Sequence, residues 1–149
     1  MVVISKDIKE FILHQRLGFV ASISENNHPC ISPRGTIIPW RKDKLVFADI
    51  KSPRTSHNLM NGGMVEICII DPLLRRGYRF IGNAKLLDKT SLEYENLLSE
   101  YKIMGIKSSI NDIIITSVDV IEPIHSPLYD IGISEDVIKN IWKKHYLDD

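Results

Sequence analysis

The bias towards β-branched residues is the feature that most limits what this chain can fold into. The sequence holds 24 Ile and 8 Val but only 3 Ala. Because branching at Cβ favours strands and Ala favours helices, we expect a mainly β fold with helices at its margins. Alternating apolar residues and turn signals predict six short antiparallel strands that close into a barrel, at residues 19–24, 29–38, 44–49, 64–70, 78–87 and 113–121.

Four helices are expected around these strands. Signals for a helix start stand at Ser5, Ser52, Thr90 and Ser134. The first helix should cover residues 5–16 and end at Gly18, which tolerates the left-handed conformation. Pro53 directly follows the second signal and suits the first position of a short helix.

Composition excludes several classes of function. The 149 residues are the length of a single domain, 1–149, and the formal net charge is zero, so the basic surface of a nucleic-acid binder is missing. No apolar run reaches the ~18–20 residues that cross a bilayer, and no signal peptide is recognisable, which indicates a cytoplasmic protein. The isolated Cys30 and Cys68 fit a reducing compartment and buried packing rather than catalysis.

Two positions favour binding of an anion. Arg34 lies within an otherwise apolar predicted strand, and the following Gly35 would let a ligand approach the backbone closely. Arg54 stands at a predicted helix start, where Ser52 and Thr55 add hydroxyl groups to unpaired N–H groups. Each pattern also fits a solvent-facing arginine, beside a bulge in the first case and a capped helix in the second.

Other polar residues give weaker signals. Arg75, Arg76 and Arg79 form either a second cationic contact or a solvated hairpin end. The five histidines lack the spacing of a metal site, and we find neither a catalytic triad nor a glycine-rich nucleotide motif. The sequence therefore predicts no metal site and identifies no catalytic residue, and Tyr129 is either a lid and proton donor or a packing residue.

Taken in order, several segments resemble the pyridoxamine 5′-phosphate oxidase-like family of FMN-binding split barrels. They are residues 19–23, 31–35, 45–49, 54–59 and 75–84, and the stretch 126–130 is similar to the C-terminal segment of small members. The resemblance implies a six-stranded antiparallel split barrel with flanking helices. It also implies a homodimer, with two FMN molecules bound at the interface between the subunits.

The resemblance implies roles for particular residues. Arg34, Arg54 and Thr55 would hold the FMN phosphate, so the two arginines described above would converge on one dianion. The remaining implied cofactor contacts are the backbone of Gly35, Thr36 and Ile37 along the isoalloxazine ring, Asp49 and Ser52 at the ribityl and phosphate end, Asn58 on the helix, and Arg76 from the partner subunit.

Two departures separate the chain from the true oxidases. Pro53-Arg54-Thr55 stands where they have Ser-Arg-Lys, and their C-terminal motif with Arg and Trp is absent. Pyridoxine and pyridoxamine phosphates are therefore not the expected substrates. We expect an FMN-dependent oxidoreductase that acts on another small molecule. The alternatives are a non-catalytic FMN-binding or carrier module, or the same fold with a deazaflavin or haem, although no histidine stands out as a haem ligand.

Overall fold

A computed structural model describes residues 2–148 of the chain. Seven strands and four helices follow one another, and every paired strand runs antiparallel to its neighbour, so the expected mainly β class is confirmed. The elements are α1 Lys6–Gln15, β1 Gly18–Ile23, β2 Pro29–Arg34, β3 Ile38–Trp40, β4 Lys44–Asp49, α2 Pro53–Asn58, β5 Gly63–Asp71, β6 Arg76–Leu86, α3 Leu92–Ile103, β7 Asp112–His125 and α4 Glu135–Leu147.

The strand order explains how the sheet closes. The strands are arranged β2-β1-β5-β6-β7-β4-β3, so β2 and β3 lie at opposite edges. Only residues 35–37 connect these two strands. Because three extended residues reach about 10 Å, the two edges must lie close together. The sheet therefore curls into a barrel that is split between β2 and β3.

This connection corrects the predicted strand over residues 29–38, which is divided into two. Thr36 Oγ1 accepts a hydrogen bond from the Ala48 N–H at 3.0 Å and donates one to the Ala48 carbonyl at 3.2 Å. The Tyr101 hydroxyl donates to the Thr36 carbonyl at 2.9 Å. These contacts hold residues 35–37 in the connection between β2, which pairs with β1, and β3, which pairs with β4. The sheet therefore has seven strands rather than six.

The end of α1 also differs from the expectation. Arg16, with a φ of 56°, takes the left-handed C-terminal position that was predicted for Gly18. Gly18 instead begins β1, where an added Cβ would lie 2.6 Å from Cδ1 of Ile37. Its small size is needed for packing inside the barrel rather than for ending the helix.

β7 is longer than predicted and continues through Pro123 to His125. Its first half pairs with both β4 and β6, but beyond Ser117 it pairs with β6 alone. Proline is tolerated there because an edge strand leaves one side of the backbone unpaired. The β6–β7 register shifts between Ile81 and Gly82.

Two apolar clusters hold the fold together. The first fills the barrel, and α1 closes one of its ends with the fully buried Ile12. The second lies outside the barrel, where α3 packs Leu97 and Tyr101 against β4 and β7. β4 is consequently buried on both faces, which fixes the position of Asp49 at its end.

None of the helices within residues 2–148 has the length and apolar character that crossing a membrane requires.

Candidate functional site

A buried ion pair lies where β2 and β4 end. Arg34 Nη1 lies 3.1 Å from Asp49 Oδ1, and their side chains are only 4% and 2% exposed. The guanidinium also donates to Ser32 Oγ at 3.2 Å and to the Ala48 carbonyl at 3.3 Å, and it packs over the Phe47 ring. Most of the hydrogen-bonding capacity of Arg34 is therefore used inside the protein.

The same carboxylate organises the start of α2. The Ser52 N–H donates to Asp49 Oδ1 at 2.8 Å, and the Ser56 hydroxyl donates to Oδ2 at 2.9 Å. The Ser52 side chain makes no capping hydrogen bond, so the predicted serine cap is wrong. The Thr55 N–H donates to the Ser52 backbone carbonyl at 3.2 Å instead. Thr55 is buried and shares a 3.2 Å hydrogen bond with Ser32.

An open cleft of about 170 Å³ lies beside this buried pair. Four of the predicted cofactor residues line it, namely Arg34, Gly35, Thr36 and Ser52. The side chain of Ile37 points into the barrel core and is 2% exposed. Lys51 also lines the cleft, is exposed, and has no ion-pair partner within residues 2–148. Since Asp49 neutralises Arg34, the lysine gives the cleft its net positive charge.

Arg54 and Asn58 line a different cavity, of about 370 Å³, between α2 and the turn that joins β1 to β2. Arg54 Nη2 lies 3.1 Å from Cys30 Sγ, and Asn58 donates to Ser22 Oγ at 3.1 Å. Arg34 and Arg54 therefore do not line one cavity within a single chain. The sequence did not show this, because the side on which Arg54 projects is set by how α2 packs against β1, β2 and β4.

Arg76 lies in a third place, at the start of β6. Its guanidinium forms a 3.0 Å ion pair with Glu135 of α4, and both side chains are about half exposed. It lines a cavity of about 570 Å³ together with His125 and Tyr129. Within one chain, Arg76 is thus apart from the Arg34 cleft, and its role as a contact from a partner subunit stays a prediction.

Sequence reasoning missed a histidine–carboxylate pair at this cavity. His125 Nε2 lies 2.9 Å from Asp130 Oδ1 across the turn after β7. The Tyr129 hydroxyl donates to the Leu74 carbonyl at 2.6 Å, a contact typical of a packing residue. In the sequence, His125 and Asp130 are five residues apart on either side of a proline. This pattern is too common to indicate a site.

Burial controls the protonation of the tyrosine that supports the cleft. Loss of hydration raises the pKa of Tyr101 far above its usual value, because the ionised phenolate would be buried. The hydroxyl therefore keeps its proton above the usual tyrosine pKa and donates it to the Thr36 carbonyl.

Comparison with known families identifies the class of protein. The family model described as pyridoxamine 5′-phosphate oxidase matches residues 4–113, which is most of the chain. The chain belongs to this family. The comparison with curated proteins gives no match.

Solved structures agree with the fold. HupZ of Group A Streptococcus has a TM-score of 0.74 and 24% identity, with 85% of this chain and 96% of that chain covered. An FMN-binding protein from Syntrophomonas wolfei has a TM-score of 0.61 and 14% identity, covering 80% of this chain and 84% of that one. The heme storage protein HutZ of Vibrio cholerae has a TM-score of 0.57 and 15% identity, covering 81% and 94%. These similarities establish the split-barrel fold.

Proposed function

We propose that this chain binds FMN as a homodimer and acts as a flavin-dependent oxidoreductase. The observation that carries the proposal is the cleft beside Arg34. It joins two segments that are separate in the sequence, residues 33–36 and 48–52, and both hold predicted cofactor contacts. Membership of the family and the similarity to an FMN-binding protein support the same cofactor.

The groups in the cleft fit the phosphate end of FMN. Lys51 supplies a cation that has no ion-pair partner among the described residues 2–148, and Ser52 lies beside it. Arg34 contributes indirectly. It pairs with Asp49, which accepts a hydrogen bond from the Ser52 N–H and so fixes the loop that carries Lys51 and Ser52. A bound phosphate would therefore meet a preformed, positively charged wall. FMN, when bound, supplies one- and two-electron redox chemistry, and the protein supplies position and electrostatics.

The size of the cleft supports a shared site. Its volume of about 170 Å³ lies below the ~300–1,000 Å³ of usual small-molecule pockets. One chain therefore encloses only part of a cofactor, and a second subunit would complete the enclosure.

The outer face of the sheet supports the same dimer. Neighbouring strands β2, β1 and β5 expose Ile31, Phe19, Ile23 and Met64, which are 43–69% accessible. A cluster of exposed large apolar side chains on one face is typical of a protein–protein interface. We propose that two copies pack through this face, which includes the outward side of the strand that carries Arg34.

Titration of the dialysed protein with FMN and with riboflavin tests the proposal. A hydrogen bond to a charged group contributes roughly 1.5–3 kcal/mol, so Lys51→Met should weaken FMN binding about ten- to a hundredfold. Riboflavin lacks the phosphate and should bind both proteins equally. Lys102→Met, which removes an exposed lysine on α3, is the matched control and should change neither affinity.

Failure of the folded protein to bind micromolar FMN would refute the proposal. Reduction of the bound flavin by NADH or NADPH then separates an oxidoreductase from a carrier module. An oxidoreductase is expected to be reduced by one of the two, whereas a carrier retains oxidised flavin with both.

Haem is the second candidate ligand, because of the His125–Asp130 pair. Histidine that ligates a metal usually bonds a carboxylate through its other ring nitrogen. Asp130 pairs with Nε2, and Nδ1 of His125, which lines a cavity of about 570 Å³, has no hydrogen bond within residues 2–148. A haem titration of the protein and of His125→Ala tests this alternative. A haem spectrum that is lost in the variant would favour it, and an unchanged spectrum would count against ligation by His125.

A further inference from the structure

The cavity between α1, β6 and the end of β7, which we name the aromatic pocket, is separate from the Arg34 cleft. Its volume is about 570 Å³, within the range of small-molecule sites, and no residue lines both cavities. Its walls include three aromatic side chains, Phe11, Tyr78 and Tyr129.

The aromatic walls are held in place before any ligand binds. Phe11 and Tyr78 pack edge to face, with ring centroids 5.3 Å apart. Tyr129 is fixed by its hydroxyl, which donates to the Leu74 carbonyl, and by an edge contact with the His125 ring at 6.0 Å. Rings that are fixed in this way present flat faces to a ligand at little cost in side-chain entropy.

The charges around the pocket favour a cation. Arg76 is neutralised by Glu135 at 3.0 Å, and His125 is paired with Asp130 at 2.9 Å. Asp7, in the first turn of α1, also lines the pocket and forms no ion pair within residues 2–148. Counting Glu135 and Asp130, which lie outside the lining, this group is net negative, and Asp7 is the lining carboxylate that a cation would meet.

We propose that the aromatic pocket binds a small aromatic cation, meaning a flat ring that carries a protonated amine. Aromatic faces attract cations through the ring quadrupole, and a nearby carboxylate adds a direct charge interaction. Asp7 would pair with the amine, and the walls formed by Tyr78 and Tyr129 would contact the ring. The proposal uses no residue of the Arg34 cleft, and Arg76 is the one pocket residue that is also a predicted FMN contact from a partner subunit.

Two probes with one ring and opposite charge test the proposal. Calorimetry of the protein should show that tryptamine binds and that indole-3-propionate binds several-fold more weakly. Asp7→Asn should weaken tryptamine binding about two- to fivefold, the effect of a solvent-accessible ion pair, and should not weaken indole-3-propionate. Tyr129→Leu should weaken both probes, because each loses ring contact.

Glu10→Gln is the matched control, since it removes an exposed carboxylate from the same helix but outside the pocket. Its tryptamine affinity should equal that of the parent. Equal losses for Glu10→Gln and Asp7→Asn would overturn the proposal, because the effect would then belong to overall charge. Equal affinities of the parent for the two probes, or no binding of tryptamine, would overturn it as well.

Discussion

Replacing Arg34 with methionine should destabilise the protein more than any surface charge change. The substitution keeps an unbranched side chain of similar length but removes the cation that faces Asp49 at 3.1 Å. Asp49 would remain buried, with only the Ser52 N–H and the Ser56 hydroxyl as partners. Breaking a buried ion pair by removing one member costs about 3–5 kcal/mol. For a domain of this size that corresponds to a fall in Tm of about 6–20 °C.

Thermal unfolding followed by circular dichroism measures this fall, and Arg79→Met provides the control. Arg79 pairs with Glu66 at the shorter distance of 2.7 Å, but the two side chains are 41% and 45% exposed. An exposed pair contributes about 0–1 kcal/mol, so the control should shift the Tm by at most about 4 °C. Burial, rather than distance, should decide which substitution is severe.

A double variant separates the lost ion pair from general damage to packing. In the double variant Arg34→Met with Asp49→Asn, neither of the two positions carries a buried charge. The amide oxygen at position 49 can still accept a hydrogen bond from the Ser52 N–H. The Tm should therefore recover part of the loss, with a coupling of about 0.5–3 kcal/mol between the two positions. Additive losses, or a fall of less than about 2 °C for Arg34→Met alone, would refute the reasoning.

Three further outcomes follow from the same structure. Burial raises the pKa of Tyr101, so above the ordinary tyrosine pKa of 10.0 only the unfolded chain releases that proton. The free energy of unfolding should therefore fall as the pH rises above 10.0. Urea unfolding at alkaline pH should show a weaker pH dependence for Tyr101→Phe. Gly82→Ala should cost about 1–3 kcal/mol or more in urea unfolding, since its Cβ would lie 2.0 Å from the Ser117 carbonyl oxygen. Arg54→Ala should leave FMN affinity unchanged, because Arg54 lines a cavity apart from the Lys51 cleft; a loss of about ten- to a hundredfold that spares riboflavin would assign the phosphate to Arg54.

Local sequence patterns predicted most of the strands and helices. The segments in which apolar residues such as Ile and Val alternate with other residues form strands. Ser5 and Ser134 are helix N-caps whose hydroxyls accept hydrogen bonds from backbone N–H groups. The break at residues 35–37 was missed, because it depends on Thr36 bonding to β4 and Tyr101 reaching over from α3. These contacts span up to 65 residues of sequence and leave no periodic signal.

The site was predicted less completely than the fold. Residues near Arg34 and Ser52 do meet at one cleft, but the sequence did not show that Asp49 neutralises the arginine. Pairing of this kind depends on where two strands end relative to each other, which is a property of the sheet register. The position of Lys51 in the cleft was missed for a simpler reason, since an exposed lysine in a loop carries no distinguishing pattern.

Sedimentation velocity of the protein mixed with FMN, followed at a wavelength that only flavin absorbs, tests the central claim most directly. We expect the flavin to sediment with a particle of twice the 17.0 kDa chain mass, with one FMN for each subunit. Replacement of the exposed Ile31 by Glu on the outer face should both dissociate the dimer and release the flavin. Flavin that sediments with a 17.0 kDa monomer, or a dimer that carries no flavin at saturating FMN, would contradict a cofactor shared between subunits.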